Sequence, residues 1–200
     1  YAFLLSQNAF DYDFNIMAGL KQERWIIGTA WSGDILDAGF RGEITYSQHP
    51  AKITNYDPIY SYLGEEAISA NKNSVLSFVL SGDYTFQNSF YIHTEILFNS
   101  NGKTKNAGLF NNEAHNLGML SASKWSLYQE FSYDITPLIR SSIFTIINPN
   151  DKSFVFVPSV SYSVLTNLDF YLIALLFNGG HLTEFGDSGN YFFTRLKWSF

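Results

Sequence analysis

Cysteine is absent from this 200-residue chain, which excludes disulfide frameworks, cysteine-based zinc sites and thiol catalysis. Charged residues are scarce, at 15% against about 25% in an ordinary soluble domain. No apolar run approaches the roughly 18 residues of a transmembrane helix, and the longest, Phe170–Phe177, is less than half of that. The net charge of −6 argues against a nucleic-acid partner, because phosphate binding requires a basic surface.

Aromatic residues, in contrast, are abundant. They make up 18% of the chain, and hydrophobic residues make up 46%. This composition excludes a disordered chain, which needs few aromatic residues and high charge. Together with the absence of a long apolar run, it favours a single membrane-embedded domain over residues 1–200, built from strands rather than helices.

Alternation of apolar and polar residues recurs along nearly the whole chain, with turn-forming residues between the alternating runs. It predicts about ten long antiparallel strands, near Tyr12–Lys21, Arg24–Gly33, Ala38–Gln48, Ser74–Phe86, Ser89–Phe98, Lys124–Ile135, Leu138–Asn148, Ser153–Leu165, Leu168–Phe177 and Asn190–Phe200. A tilted strand of about 11 residues crosses an outer-membrane hydrocarbon band, whereas strands of soluble proteins average about 5–6 residues. We therefore expect an all-β, up-and-down transmembrane β-barrel.

The predicted connections alternate between short turns and longer segments. The short ones lie near Asp34–Asp37, Gln87-Asn88, Thr136-Pro137 and Thr166-Asn167; the others are His49–Asn73, Asn99–Ser123, Asn148–Lys152 and Asn178–Gly189. Transmembrane barrels have short periplasmic turns and longer extracellular loops. A soluble β-sandwich or lipocalin-like barrel, the competing fold, has no reason to place its long loops at every second connection.

On the predicted strands, one side is apolar, with aromatic residues near both strand ends and aliphatic residues between them, as lipid headgroup interfaces select. The opposite side holds six acids and six bases: Asp13, Lys21, Arg24, Arg41, Glu43, Asp83, Glu95, Glu130, Asp134, Arg140, Arg195 and Lys197. Such residues either line a wetted pore or pair with one another to fill a narrow interior. Both interpretations stay open, and the six-to-six balance predicts weak ion selectivity.

An enzyme site is the least favoured interpretation. His93 and Glu95 project to one side of a predicted strand, and Ser77 and Ser81 of the neighbouring strand face the same way. A hydrolase can use a His–carboxylate pair of this kind with a nearby serine nucleophile. Polar residues of this kind are ordinary in any barrel lumen, so we expect no catalysis. His49, His115 and His181 lie in predicted loops, no residues have metal-ligand spacing, and no cofactor is expected.

The last strand carries a resemblance. Phe192, Leu196, Trp198 and the terminal Phe200 resemble the C-terminal insertion signal of Gram-negative outer-membrane β-barrels. The preceding hairpins more loosely resemble the C-terminal half of porin-like proteins. The resemblance implies location in the bacterial outer membrane, with the lipid bilayer and the barrel-assembly machinery as partners, but it carries over no functional residue.

The expected function is passive passage of small solutes or ions through a porin-like channel. The strand-like start at Tyr1–Ser6 hints at a further strand, and single-chain barrels have even strand counts, so we expect the chain to be part of a larger barrel. The alternative is a small structural or docking barrel among other outer-membrane proteins. An outer-membrane hydrolase that uses His93 is the third interpretation.

Overall fold

The computed structural model describes residues 1–21, 24–48 and 74–200. In these ranges the chain forms one antiparallel sheet of eleven strands, and the order of the strands in space follows their order in the sequence. The strands are β1 Ala2–Ala9, β2 Tyr12–Lys21, β3 Arg24–Ile35, β4 Ala38–Gln48, β5 Ser74–Thr85, β6 Tyr91–Asn99, β7 Trp125–Thr136, β8 Ile139–Asn148, β9 Ser153–Leu165, β10 Leu168–Asn178 and β11 Tyr191–Trp198. The predicted all-β, antiparallel, up-and-down organisation is confirmed.

The prediction of about ten strands is one short. The hint of a strand at the start of the chain becomes β1, which pairs along its whole length with β2. The turn between them is made by Phe10 and Asp11, which both have positive φ values, of 55° and 62°. Two-residue hairpin turns of this kind favour Asn, Asp and Gly, so Asp11 is an ordinary turn residue and Phe10 is not.

The two ends of the sheet differ in their connections, because two of the three described connections at one end are longer than any at the other, as the alternation of short and long connections predicts. At one end, the short-turn end, neighbouring strands are joined through residues 10–11, 36–37, 86–90, 137–138 and 166–167. At the other, the loop end, the described connections are 100–124, 149–152 and 179–190. The predicted loop His49–Asn73 lies outside the described residues.

Strand register divides the side chains between two faces. One, the apolar face, holds residues such as Phe14, Trp31, Ile44, Phe131 and Leu196 and not one charged residue of the described strands. The other, the charged face, holds eight acids and six bases, fourteen in all: Asp13, Asp34, Glu43, Asp83, Glu95, Glu130, Asp134, Asp169, Lys21, Arg24, Arg41, Arg140, Arg195 and Lys197. Pairing across each ladder keeps partners on one face, so this segregation extends over the whole sheet.

The charged face is also the more enclosed one. The buried apolar residues of the strands, Val75, Leu97, Val155 and Val157, all lie on it, and so do buried polar residues such as Ser132. The apolar face, in contrast, leaves large side chains such as those of Ile16, Ile27, Phe131 and Leu172 exposed. This is the reverse of a water-soluble sheet, which buries its apolar face.

A small folded unit covers the loop end of the charged face. Residues 100–124 contain a 3-10 turn, Ala107–Phe110, and a short helix, α1, Asn111–Leu117, which ends at Gly118 in the left-handed conformation. Their apolar side chains form a buried cluster with β5, consisting of Val75, Ala107, Phe110, Ala114, Leu117, Met119 and Ala122. We call residues 100–124, together with the neighbouring loop 179–190, the loop cap.

Candidate functional site: the charged face and its loop cap

All twelve charged residues predicted to point inward lie on the charged face, Lys21 by its backbone register opposite Arg24. Whether this face lines a lumen stays a prediction. Two further acids share it: Asp34, which the sequence placed in a turn, and Asp169, which pairs in register with Lys197. The balance on the face is therefore eight acids to six bases rather than six to six.

Two ion pairs connect neighbouring strands on this face. Arg41 of β4 contacts Asp83 of β5, and Arg140 Nη1 of β8 lies 3.2 Å from Asp134 Oδ1 of β7. The other guanidinium nitrogen of Arg140 donates a hydrogen bond to Ser132 Oγ at 2.7 Å. Both arginines keep about half of their side-chain surface exposed. Because exposed pairs of this kind are worth about 0–1 kcal/mol, they organise the face more than they stabilise it.

His93 lies among the aromatic rings of Tyr91 and Tyr128 and the carboxylate of Glu130, and not beside a serine nucleophile. Its Nδ1 is 4.0 Å from Glu130 Oε2, and the same oxygen accepts a hydrogen bond of 2.7 Å from the Tyr128 hydroxyl. The Ser77 hydroxyl donates instead to Asn99 Oδ1 at 2.7 Å. In the described part of the chain no serine is hydrogen-bonded to His93.

The other described histidines lie in the loop cap. His115 is exposed near the end of α1. His181 Nδ1 lies 2.8 Å from Asp187 Oδ1 in the exposed loop, and this hydrogen bond lowers the pKa of Asp187. Among the described residues no group of three or more histidines and carboxylates is placed to hold a metal ion.

A network of buried and half-buried polar groups joins the two loops of the cap to the sheet. Ser121 Oγ donates to Glu184 Oε1 at 2.6 Å, and the Glu184 amide donates to Asp151 Oδ2 at 2.9 Å. Ser123 and Ser126, both buried, continue the hydroxyl network to the start of β7. The Gly108 amide donates to the Leu182 carbonyl at 3.1 Å, so backbone bonds also tie the loops together.

Glu184 is the most perturbed group of the cap. Burial raises the pKa of its carboxyl, and the hydrogen bond from Ser121 opposes that rise. Hydrogen bonds from Ser123 and from the fully buried Asn148 also lower this pKa, but by less than burial raises it. Because a largely buried carboxylate is costly in its charged form, cap packing should depend on its protonation.

Asn99–Ser123, predicted from the sequence as a long connection, contains this folded cap instead. A signal was present: Ala107, Phe110, Ala114 and Leu117 recur at spacings of three and four residues, which places them on one side of a helical segment. The tight backbone approach of Gly108, where an added Cβ would lie 2.4 Å from the Thr183 carbonyl oxygen, was not visible in the sequence.

The residues of the predicted insertion signal lie along the apolar face of β11, at the edge of the sheet. Phe192, Leu196 and Trp198 are 77%, 69% and 65% exposed, and Phe200 follows the end of the strand. On the same strand, Arg195 and Lys197 point to the charged face, with the Arg195 guanidinium 5.8 Å from the Tyr171 ring centre. The role of Phe192, Leu196, Trp198 and Phe200 in insertion stays a prediction.

Aromatic rings on the apolar face meet across strands near both ends of the sheet. Trp25 and Tyr46 at the loop end have ring centres 5.4 Å apart, and Phe98 and Trp125 have centres 4.7 Å apart. At the short-turn end, a continuous run of ring contacts includes Tyr84, Phe86, Phe90 and Phe131. The two groups flank aliphatic residues of the strand centres.

One polar pair interrupts the apolar face of the central strands. Thr94 donates to Gln129 Oε1 at 2.8 Å, and Gln129 Nε2 donates to the backbone carbonyls of His93 and Glu130. Every hydrogen-bonding group of the glutamine amide is thus directed to the sheet itself. A polar side chain satisfied in this way can face a medium that offers no hydrogen bonds.

Comparison of the chain with protein-family models, curated proteins and solved structures finds no match. Within the described ranges, no helix is long and apolar enough to cross a membrane.

Proposed function

We propose that this chain forms the strands of a bacterial outer-membrane β-barrel and that its charged face lines a passage for small solutes or ions. The observation that carries the proposal is the complete separation of charge between the two faces. All fourteen charged residues of the described strands lie on the more enclosed face, and large apolar side chains lie exposed on the other.

Exposure of the apolar face to water argues against a soluble sheet. Soluble monomers rarely expose a contiguous apolar patch larger than a few hundred Å², whereas here one face of the eleven-stranded sheet is mostly apolar and uncharged and leaves many large side chains exposed. A lipid bilayer removes that cost, because the hydrocarbon takes the place of a protein core. The aromatic contacts near both strand ends fit the interfaces at which Trp and Tyr are enriched in membrane barrels.

Strand direction bears on how such a barrel would close. In an up-and-down sheet of eleven strands, the edge strands β1 and β11 run in the same direction. Direct pairing of β1 with β11 would therefore be parallel. Wholly antiparallel closure needs an odd number of further strands between them, which fits the expectation of a larger barrel with an even strand count.

Insertion of the barrel would involve two partners. The bilayer would contact the apolar face, and the barrel-assembly machinery would recognise the terminal segment that contains Phe192, Leu196, Trp198 and Phe200. The exposure of these side chains at a sheet edge leaves them accessible for recognition. The porin-like function itself rests on the charge and enclosure of the opposite face.

Conductance measurement tests the proposal. We expect the full-length protein, folded into planar bilayers, to conduct with a slight preference for cations, because the charged face holds eight acids and six bases. The double variant R195E/K197E should shift the reversal potential further towards cation selectivity. The double variant D13N/N15D moves one negative charge by two residues on the same face, and we expect it to leave the reversal potential unchanged.

A structural or docking barrel is the second candidate, and the loop cap is the observation that favours it. The cap covers the loop end of the charged face with a buried cluster, and the ion pairs of Arg41 and Arg140 join neighbouring strands on that face. Bilayers that stay silent with correctly folded full-length protein would contradict the channel and favour this closed barrel. Unaltered selectivity in R195E/K197E would also contradict the channel.

A further inference from the structure

A polar cavity of about 250 Å³, half open to solvent, lies on the charged face at the short-turn end, between β7 and β10. It lies far from the loop cap, at the opposite end of the strands. Its lining is formed by Asp134, Thr136, Pro137, Leu138, Ile139, Arg140, Ser161, Ser163, Asp169 and Tyr171. Its volume is slightly below the range of about 300–1,000 Å³ that drug-sized ligands occupy, so it would fit a smaller molecule.

Irregular pairing shapes this cavity. The register of β7 with β8 shifts between Asp134 and Thr136, and the register of β9 with β10 shifts between Leu168 and Asp169. Bulges of this kind re-aim side chains and are common beside binding sites. One shift lies next to Asp134 on one side of the cavity, and the other lies next to Asp169 on the opposite side.

Several groups that line the cavity keep unused hydrogen-bonding capacity. Asp134 uses Oδ1 for Arg140, and Asp169 uses Oδ1 for the Ser163 hydroxyl at 2.6 Å, so each carboxylate keeps its second oxygen. Within the described residues, the hydroxyls of Ser161 and Tyr171 form no side-chain hydrogen bond. The cavity therefore presents both donors and acceptors at close range.

The mixture of donors and acceptors restricts the ligand. A simple anion would be repelled by the two carboxylates. Arg140, and Lys197 in register with Asp169, balance those two negative charges, so a simple cation would not be strongly attracted either. The guanidinium of Arg140 is already engaged by Asp134 and Ser132, so it offers no free positive pole to the anionic group of a zwitterion. Hydroxyl groups fit best, because each donates and accepts at once.

We propose that this cavity is a binding site for a small polyhydroxylated molecule of about monosaccharide size. The site goes beyond the proposed passage of solutes, because it gives the short-turn end a preference for one chemical class. A sugar hydroxyl would accept from Ser161 or Tyr171 and donate to the unpaired carboxylate oxygens of Asp134 and Asp169.

Saturation-transfer NMR on the full chain folded in detergent micelles tests the site, with D-glucose as the probe and glycine as the zwitterionic competitor. We expect saturable binding of glucose that glycine does not displace. Ser161→Ala and Asp169→Asn should each weaken it about tenfold, as expected for loss of a hydrogen bond with a charged or well-placed partner. The matched control is Ser159→Ala, two residues along the same strand and hydrogen-bonded to Ser142 outside the cavity lining.

The measurement is made in micelles and does not depend on conduction, so failure of the channel proposal would leave it intact. Heat-modifiable gel mobility verifies that each variant is folded. Absence of a glucose signal, displacement by glycine, or equal binding in Ser159→Ala and in the two cavity variants would overturn the proposal.

Discussion

A charge placed on the apolar face should be far more harmful than the same charge placed one residue away. Ile16 and Met17 are neighbours on β2, 50% and 40% exposed, and they point to the apolar face and the charged face respectively. If the apolar face meets lipid, Ile16→Arg places a guanidinium in hydrocarbon near the middle of its strand. Met17→Arg adds one more cation to a face that already holds six.

The expected difference in folding free energy between the two variants follows from the surroundings of each face. An arginine near the bilayer midplane costs about 2–4 kcal/mol, whereas an exposed surface substitution in water costs about 0.5 kcal/mol or less. Ile16→Arg should therefore lower the folding equilibrium constant in lipid vesicles by about 30- to 1,000-fold. Met17→Arg should change it little, since both side chains are similarly exposed and the two variants differ only in the face that carries the charge.

Reversible urea unfolding in phospholipid vesicles, followed by tryptophan fluorescence, measures both free energies of unfolding. Heat-modifiable gel mobility reports the folded fraction independently. Equal tolerance of the two arginines would refute the assignment of the apolar face to lipid. A larger loss in Met17→Arg than in Ile16→Arg would refute the assignment of the charged face to an aqueous interior.

Three further outcomes are expected. Cysteine at Leu120, which is 84% exposed in the loop cap, should react with an impermeant thiol reagent on intact cells, and cysteine at Asn167 in a short turn should not; the reverse labelling would invert the orientation. Deletion of Trp198 to Phe200 should reduce the yield of folded barrel much more than the stability of barrel already folded, and an unchanged yield would argue against an insertion signal. Because burial raises the pKa of Glu184 above 4.5, its contribution to cap stability should be greatest below pH 4.5 and be lost as pH rises through the folded-state pKa. Hydrogen exchange of the cap amides should show this loss in the wild type and not in Glu184→Gln; equal pH dependence in both would remove Glu184 as its cause.

Several features were predictable from local patterns alone. Alternation along Tyr12–Lys21 or Tyr191–Trp198 can be read without knowing the partner strand, because successive side chains of a strand point to opposite faces. The short turn at residues 166–167 carries an Asn, which tolerates turn conformations. The predicted strand β6 began two residues early, since Ser89 and Phe90 belong to the turn that precedes it.

The pairing of particular groups was not predictable. His93 is two residues from Glu95 in the sequence, yet its nearest carboxylate is that of Glu130, which comes from the adjacent strand. Such contacts depend on register, and register is set by all the pairs of a ladder together. The cavity beside Asp134 and Asp169 likewise lies next to two shifts of register that no local sequence pattern predicts.

The sequence by itself determined the class of the fold and the separation of charged from apolar residues, because a two-residue period assigns each side chain to one of two faces. Only the tertiary structure showed that the charged face is the more enclosed of the two, since burial depends on how strands and loops lie over one another. It also decided that Ala107, Phe110 and Leu117 pack against Val75 of a distant strand to form a cap. That packing joins segments about 30 or more residues apart, and no local propensity encodes it.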